Sequence, residues 1–386
     1  MALKNADVVI VGGGVVGSAI AYFLSLHKIE VILVEKEEIG SGSSGACDGA
    51  VLMQSKKPGI HLKMAMESRR LLEELQDQLP VSFEFEKNGG LIVIESEDER
   101  VLMEQHVNAQ REAGLAVELI DQKQLSTLSP YLSPNLLGAT YSSDEGKINP
   151  MALTFGFIRG AMQLGAHIIT GTKVLDIITD GEQVTSVQTD SGEIKTHTVI
   201  NAAGAYAPQI GRMLDIDIPI RPKRGQLLVT EARPGLLKPC LLTASYIAAK
   251  YNSPSKNKSS GGLSMDQTHN GNLLLGSTRE LVGYDKQNTA DGLKQIAARA
   301  VRVLPVLKDM MLIRSFAGLR PSTPDGLPIL GKVGKIKGFI MAAGHEGDGI
   351  ALSAITGKLI SELIVNGEPT ASLDEFNLDR FSTDSA

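Results

Sequence analysis

The chain has 386 residues, a net charge of −6, 42% hydrophobic and 21% charged residues, and 40 glycines against 16 prolines. This length predicts two domains, and the composition excludes a disordered or fibrous chain. The lysines are scattered, with no basic stripe to track a phosphate backbone, so nucleic acid is not expected as a partner.

Cys47 and Cys240 lie far apart and form no CxxC. The seven histidines include no pair at helical ligand spacing, so neither a disulfide framework nor a metal site is expected. Two isolated cysteines make the reducing cytoplasm the expected compartment. The nearly charge-free run from Ala6 to Leu26 follows a start carrying Lys4, as a secretory signal would. Its glycines and its passage straight into a second strand-like run argue against that reading. No other stretch reaches the roughly 18 to 20 apolar residues of a membrane span, so no transmembrane segment is expected.

In chain order, Asp7 to Val11 reads as a strand, Val15 to His27 as a helix and Glu30 to Glu35 as a second strand, a βαβ opening. Val16, Ile20, Phe23 and Leu24 share one helical face, and the strands are continuous Val/Ile runs of the kind buried in parallel sheets. Helices follow at Leu62 to Gln78 and Asp98 to Ala113, separated by the strand Gly90 to Ile94. A helix from Pro150 to Leu164 precedes runs at His167 to Thr170, Val174 to Thr179 and Val184 to Thr189, which read as a small antiparallel meander. The strand Thr198 to Asn201 returns to the parallel idiom. Further strands are expected at Gln226 to Thr230, Tyr246 to Lys250 and Asn272 to Gly276, with a mobile surface loop at Ser253 to Gly262. Gly338 to Leu363 is again strand, glycine turn and helix, with Leu352, Ile355, Leu359 and Leu363 on one face.

The run Gly12, Gly13, Gly14, Val15, Val16, Gly17 matches GxGxxG, although in so glycine-rich a chain the pattern alone is weak, and Gly40, Gly42 and Gly45 match it again. Context separates the two: the first follows a buried strand, opens a helix and is answered by Glu35 at the end of the next strand. Gly12 permits the tight turn, Gly14 the approach of backbone to a pyrophosphate, and Gly17 close helix–strand packing, while the helix N-terminus offers donors. Glu35 accepts ribose hydroxyls and disfavours a 2′-phosphate, which argues against NADP. The second match reads as a loop against the cofactor, with Ser43 and Ser44 offering hydroxyls.

Five stretches then make a specific resemblance: GSGSSGACDGAVL from Gly40, DEGKINP from Asp144, VINAAGAYAP from Val199, FAGLRPSTPDGLPILG from Phe316, and GFIMAAGHEGDGIALSAITGKLISELI from Gly338. In this order they resemble the D-amino-acid oxidase superfamily, in particular the branch of glycine oxidase and the β-subunits of sarcosine oxidase and proline or hydroxyproline dehydrogenase. The resemblance spans essentially the whole chain. It implies FAD as cofactor. It also implies an α/β (α+β) fold: a Rossmann-type FAD-binding domain, discontinuous in sequence (1–85, 145–220 and 316–386), with an inserted substrate domain built on an antiparallel sheet (86–144 and 221–315).

The same resemblance makes Arg320 the anchor of the substrate carboxylate, a task that suits a planar guanidinium fork. It puts Tyr246 and Lys250 on the substrate side of the pocket. It brings Gly12, Gly14, Val15, Val16, Gly17, Glu35, Lys36, Ser43, Ser44, Val174, Ala203, Gly204, Gly318, Arg320, Gly344, His345, Glu346, Gly347, Asp348, Gly349 and Ile350 to the cofactor. His345 either flanks the flavin or caps backbone groups in its glycine turn. Asp348 is either an N-cap of the last helix or a site residue. The N-terminus of that helix, near Gly349, points at the flavin pyrimidine ring. Several relatives bind flavin through a cysteine late in the chain, and no cysteine follows Cys240, so non-covalent FAD is expected.

The expected activity is hydride transfer from the C–N unit of glycine, sarcosine, proline, hydroxyproline or a D-amino acid to the flavin, with Arg320, Tyr246 and His345 nearest the chemistry. The alternative is a non-catalytic or electron-transfer FAD subunit of a larger dehydrogenase complex. Beyond a small amino-acid substrate, the sequence leaves a partner subunit or a homo-oligomer open.

Overall fold

The computed structural model describes residues 5–251 and 262–381. Val8–Val11, Val15–Leu26 and Val31–Val34 form the opening strand, helix and strand, and every residue of both strands is buried, as in a parallel sheet covered on both faces. They belong to a six-stranded sheet with the order Ile329–Lys332, Phe339–Ala343, Val199–Asn201, Val8–Val11, Val31–Val34, His167–Ile169. All neighbours are parallel except Ile329–Lys332, which runs antiparallel to Phe339–Ala343. From Val8–Val11 the chain first moves to one side and only later returns on the other, at Val199–Asn201. That reversal opens a crevice at the carboxyl ends of the strands, where open α/β sheets take their ligands.

The second large sheet has eight strands in the order Leu312–Ser322, Arg221–Ala232, Asn272–Gly276, Ser264–Gln267, Cys240–Thr243, Gly90–Ile94, Gly138–Ser142, Glu118–Asp121. It is antiparallel apart from the parallel pairing of Cys240–Thr243 with Gly90–Ile94. Leu91, Val93, Leu241, Met265, Leu273 and Leu275 form a core with Ile296, Ala300 and Val303 of the helix Ala290–Val303. Thr289 caps that helix, its hydroxyl accepting the Gly292 N–H at 3.2 Å. The long strands Arg221–Ala232 and Leu312–Ser322 pair over most of their length, from Arg221 opposite Ser322 to Thr230 opposite Leu312. Gly225 and Leu227 of the first and Ala317 to Pro321 of the second line the crevice of the first sheet.

Two expectations need correction. Tyr246 to Lys250 is not a strand but part of the helix Ala244–Tyr251. Its three alanines favour that state, and the helical pair Ala244 and Ile247 is buried with Leu52, Ile94 and Met103. His167–Ile169 leaves the expected meander and joins the edge of the parallel sheet beside Val31–Val34. The meander is instead Val174–Asp180, Gln183–Thr189 and Gly192–Lys195. The expected mobile loop lies, except for Gly262, outside the described residues. The strands Glu118–Asp121, Gly138–Ser142, Cys240–Thr243, Ser264–Gln267 and Ile329–Lys332 are not marked by the sequence pattern.

Candidate active site

A cleft open to solvent runs along the carboxyl ends of the parallel strands. Val11, Gly12, Val34, Glu35, Ala202, Ala203, Ala342 and Ala343 line it from the first sheet, and Gly225, Leu227 and Ala317 to Pro321 from the second. At the end formed by the Gly12–Gly17 turn the backbone forms the shape. Gly12 has a φ of 114°, and a Cβ there would stand 2.6 Å from the Ala202 carbonyl oxygen; at Gly17 it would stand 2.1 Å from that of Gly12. Both positions therefore exclude any side chain. Glu35 accepts the Gly13 N–H at 2.7 Å and the Glu37 N–H at 2.9 Å, which fixes its carboxylate in the wall.

Ser44 accepts the Val15 N–H at 3.0 Å, and Ser43 donates to the Leu319 carbonyl at 2.5 Å. These two bonds tie the Ser41–Ala46 side of the cleft to the opening helix and to the long strand carrying Arg320. The Lys36 ammonium sits 3.6 Å over the Tyr206 ring, which stacks on Tyr284 at 4.9 Å. Neither tyrosine carries a sequence signal that marks it for this stack.

Of the residues expected at the cofactor, Gly17, Gly344 and Asp348 do not line the cleft; the others do. Gly17 acts behind the wall, by the close packing just described. Gly344, at a φ of 85°, makes the turn beneath Thr323. Asp348 neither caps the helix Gly349–Val365 with its side chain nor lines the cleft. Its carboxylate is buried against Lys56 at 2.9 Å, Lys250 at 2.7 Å and His61 at 3.3 Å. Burial opposes its ionisation, but the two lysines and His61 hold its carboxyl well below the usual range. Lys250 is thus held in this cluster and not in the cleft, and it also donates to the Ser55 carbonyl at 3.0 Å. Lys56 and His61 were invisible as site residues, because a lysine in the run Ser55 to Pro58 reads as surface.

At the other end Arg320, Tyr246, His345, Glu346 and Gly347 meet in the cleft wall. Arg320 donates to the Thr278 carbonyl at 3.1 Å and to the Ser277 hydroxyl. Its guanidinium lies over Gly225, where a Cβ would stand 2.3 Å from Nη1, so this glycine makes the seat for the arginine. Glu346 is buried at a φ of 51°, accepts from Arg279 at 2.6 Å and lies 3.7 Å from the Lys223 ammonium. Against the cost of burial, Arg279, Arg320, Lys250 and Lys223 lower its carboxyl to about 2. Arg279 also stands 4.6 Å over the Tyr246 ring, and its Nε and Nη2 have no partner among the described residues. With Lys250 held by Asp348, the cations Arg279, Arg320 and Lys223 remain around one carboxylate, a surplus suited to an anionic group. His345 contacts Thr356 Oγ1 at 3.1 Å through Nε2, and burial pushes it down to about 4, so the ring is neutral at pH 7.

Among the described residues no cluster of three or more His, Cys, Asp or Glu side chains is arranged to hold a metal, and no helix is long and apolar enough to cross a membrane.

The hydrogen cyanide synthase subunit HcnC of Pseudomonas protegens is 32% identical over 99% of this chain and 97% of its own. Glycine oxidase of Geobacillus kaustophilus is 29% identical over 97% of each chain. Among solved structures, L-proline dehydrogenase from P. horikoshii superposes with a TM-score of 0.89 at 25% identity, covering 98% of both chains. The Geobacillus kaustophilus glycine oxidase structure gives 0.88 at 28% identity, over 98% of this chain and 99% of that one. Residues 7–363 match the model of the DAO family, described as FAD dependent oxidoreductase, and the chain belongs to that family.

Proposed function

We propose that the protein oxidises the carbon–nitrogen bond of a small α-amino acid: glycine, sarcosine, proline, hydroxyproline or a D-amino acid. FAD is its cofactor, and when bound it supplies the two-electron acceptor for the hydride. The cleft fits it: the Gly12–Gly17 turn leaves room for a pyrophosphate, Glu35 stands ready for ribose hydroxyls, and the helix starting at Gly349 presents its N-terminus to the cleft. We further read the FAD as non-covalent, released to the supernatant on acid precipitation.

The observation that carries the substrate class is Arg320. It is held from behind by Thr278 and Ser277 and leaves the remaining donors of its fork for a carboxylate at the inner end of the cleft. Tyr246 and neutral His345 complete the surroundings of the substrate, and the chain orients a neutral amine rather than abstracting an α-proton. The names of the relatives support this class, as glycine oxidase and L-proline dehydrogenase are both named for amino acids.

The test is stopped-flow flavin reduction without oxygen across a panel of glycine, sarcosine, both prolines, hydroxyprolines and D-amino acids. With the best of them, Arg320→Ala should lower reduction efficiency more than a hundredfold, about 3–5 kcal/mol, and Arg320→Lys should recover part of the loss. Equal losses for the substrate and for the same amine without its carboxylate refute the assignment.

A second reading, that the chain works within a complex, is favoured by one surface. Met311, just before the edge strand Leu312–Ser322 of the eight-stranded sheet, and Leu312 and Ile313 at its start are exposed by 68%, 50% and 60%, an apolar run at an unpaired edge. HcnC is itself named as a subunit. The two free thiols, Cys47 and Cys240, suit the cytoplasm.

A further inference from the structure

The glycine-rich loop after the opening βαβ contributes more than contacts for a nucleotide. Asp48, at its end, lines the cleft and accepts the Ser264 hydroxyl at Oδ2 from 3.0 Å. Ser264 is paired in register with Gly276, and the next residue, Ser277, receives Arg320. Two neighbouring strands therefore hold an aspartate on one side and the arginine on the other. Cys47 lies in the field of both.

Behind Asp48 stands a second acid. Asp266 is 3% exposed; its Oδ2 accepts the Gly49 N–H at 3.2 Å and its Oδ1 takes the Cys240 thiol at 3.6 Å. Burial first, and then the charge of Asp48, push Asp266 up to about 6. The groups facing this pair are Cys47, Cys240, Lys147 and Arg320. Lys147 is committed elsewhere, to the Gln267 carbonyl at 2.5 Å and to Glu86 at 3.3 Å. Among the described residues neither aspartate has an ion pair. The inner cleft is thus polarised, with surplus positive charge around Arg320 and surplus negative charge at Asp48. An α-amino acid at neutral pH has the matching distribution, a carboxylate beside an ammonium. Its ammonium, however, has no lone pair to form the C=N bond, so a proton must leave first.

We propose that Asp48 receives the substrate ammonium opposite the carboxylate held by Arg320 and takes one proton from it, making the neutral amine that can be oxidised. This rests on the amino-acid reading above. The balance is simple: an N–H bond breaks and an O–H bond forms on the Asp48 carboxylate. The Cα–H bond then breaks, its electron pair leaving with hydrogen as hydride to oxidised FAD, and the nitrogen lone pair becomes the second C–N bond. The proton on Asp48 passes to water through the open cleft.

Asp48→Asn tests this, because asparagine keeps an oxygen for the Ser264 hydroxyl while removing charge and basicity. The first measurement titrates the FAD-loaded enzyme with two inert acids, followed by the flavin absorbance. One is 2-aminoisobutyrate, which carries both charges but no α-hydrogen to lose; the other is isobutyrate, the same carboxylate without the amine. Asp48→Asn should weaken 2-aminoisobutyrate by at least about tenfold and leave isobutyrate unchanged or tighter. Equal weakening of both, as a merely structural role would give, overturns the proposal, and so does no change in either. The second measurement is the pH profile of flavin reduction by the best amino acid. The deficit of Asp48→Asn at pH 7 should close as the pH approaches the pKa of the free amine, and a deficit constant with pH overturns the proposal. If no amino acid reduces the wild-type flavin, the functional reading fails by itself, and the titration with the two acids still decides the role of Asp48.

Discussion

The two ends of the cleft are built by different means. At the end proposed for the nucleotide the work is steric and local: Gly12 and Gly17 clear space for backbone, and one acid, Glu35, is fixed by two amides within the same βαβ unit. At the end proposed for the substrate the work is electrostatic and non-local. Lys223, Arg279, Arg320 and Glu346 come from four separate stretches of chain, and Asp48 and Asp266 from two more. Cofactor affinity should therefore depend on a few contiguous residues, whereas the inner end should respond to any change in its charge balance.

The largest effect is expected where that balance is broken outright. In Glu346→Ala, Arg279, whose side chain is only 10% exposed, and the partly buried Lys223 lose their counter-charge. Removing one partner of a buried pair costs about 3–5 kcal/mol, to be read from urea unfolding at pH 7. Glu346→Gln should cost less, since the amide oxygen can still accept the Gly347 N–H now bonded at 2.6 Å. A loss below about 1 kcal/mol in Glu346→Ala would mean that water compensates these charges, and the contrast between the two ends would fail.

What could be read from the sequence follows the same division. The strand at Val8–Val11, its glycine turn and Glu35 are adjacent in the chain, so pattern and spacing expose them together. The last helix, too, starts at Gly349 as its glycine turn suggested. The pairing of Lys223 with Glu346, or of Asp48 with Ser264, is set by register between distant strands, and no local pattern encodes it. Asp348 shows the cost: its place before a helix suggests a cap, yet the burial of Lys56 and Lys250 beside it decides its role. Resemblance brings Tyr246 to the cleft but does not give its secondary structure, because eight residues rich in alanine and β-favouring side chains suit either helix or strand until Ile247 finds its core.

The nucleotide end offers an intermediate effect. Glu35→Ala removes the charge-assisted contacts expected with ribose, worth about 1.5–3 kcal/mol, or roughly 10- to 150-fold in the FAD dissociation constant. It also releases the Gly13 and Glu37 amides, so some loss of thermal stability in the apoprotein should accompany it. An unchanged dissociation constant removes Glu35 from the cofactor site and leaves it a purely structural clasp.

The smallest effect concerns His345, where the two ends meet, and its sign distinguishes a buried neutral ring from a charged one. Burial lowers its pKa to about 4, with the Asp348 charge opposing and His61 assisting, against an ordinary value of 6.5. Between those values the unfolded chain binds a proton that the folded protein excludes. Its contribution to stability is therefore intact above pH 6.5 and is lost as the pH falls toward 4. From pH 7 to pH 5 the loss attributable to this ring is about 2 kcal/mol. Asp266, pushed up to about 6, and Glu145, pushed up to about 7, act in the opposite direction, since the folded state binds their protons more readily as the pH falls. The observable must therefore be a difference: urea unfolding of wild type and of His345→Gln at both pH values, with the wild type losing about 2 kcal/mol more than the variant on acidification. If the two respond alike, or the wild type gains, His345 is protonated in the folded protein. The helix terminus at Gly349 would then face a cation rather than a neutral donor or acceptor.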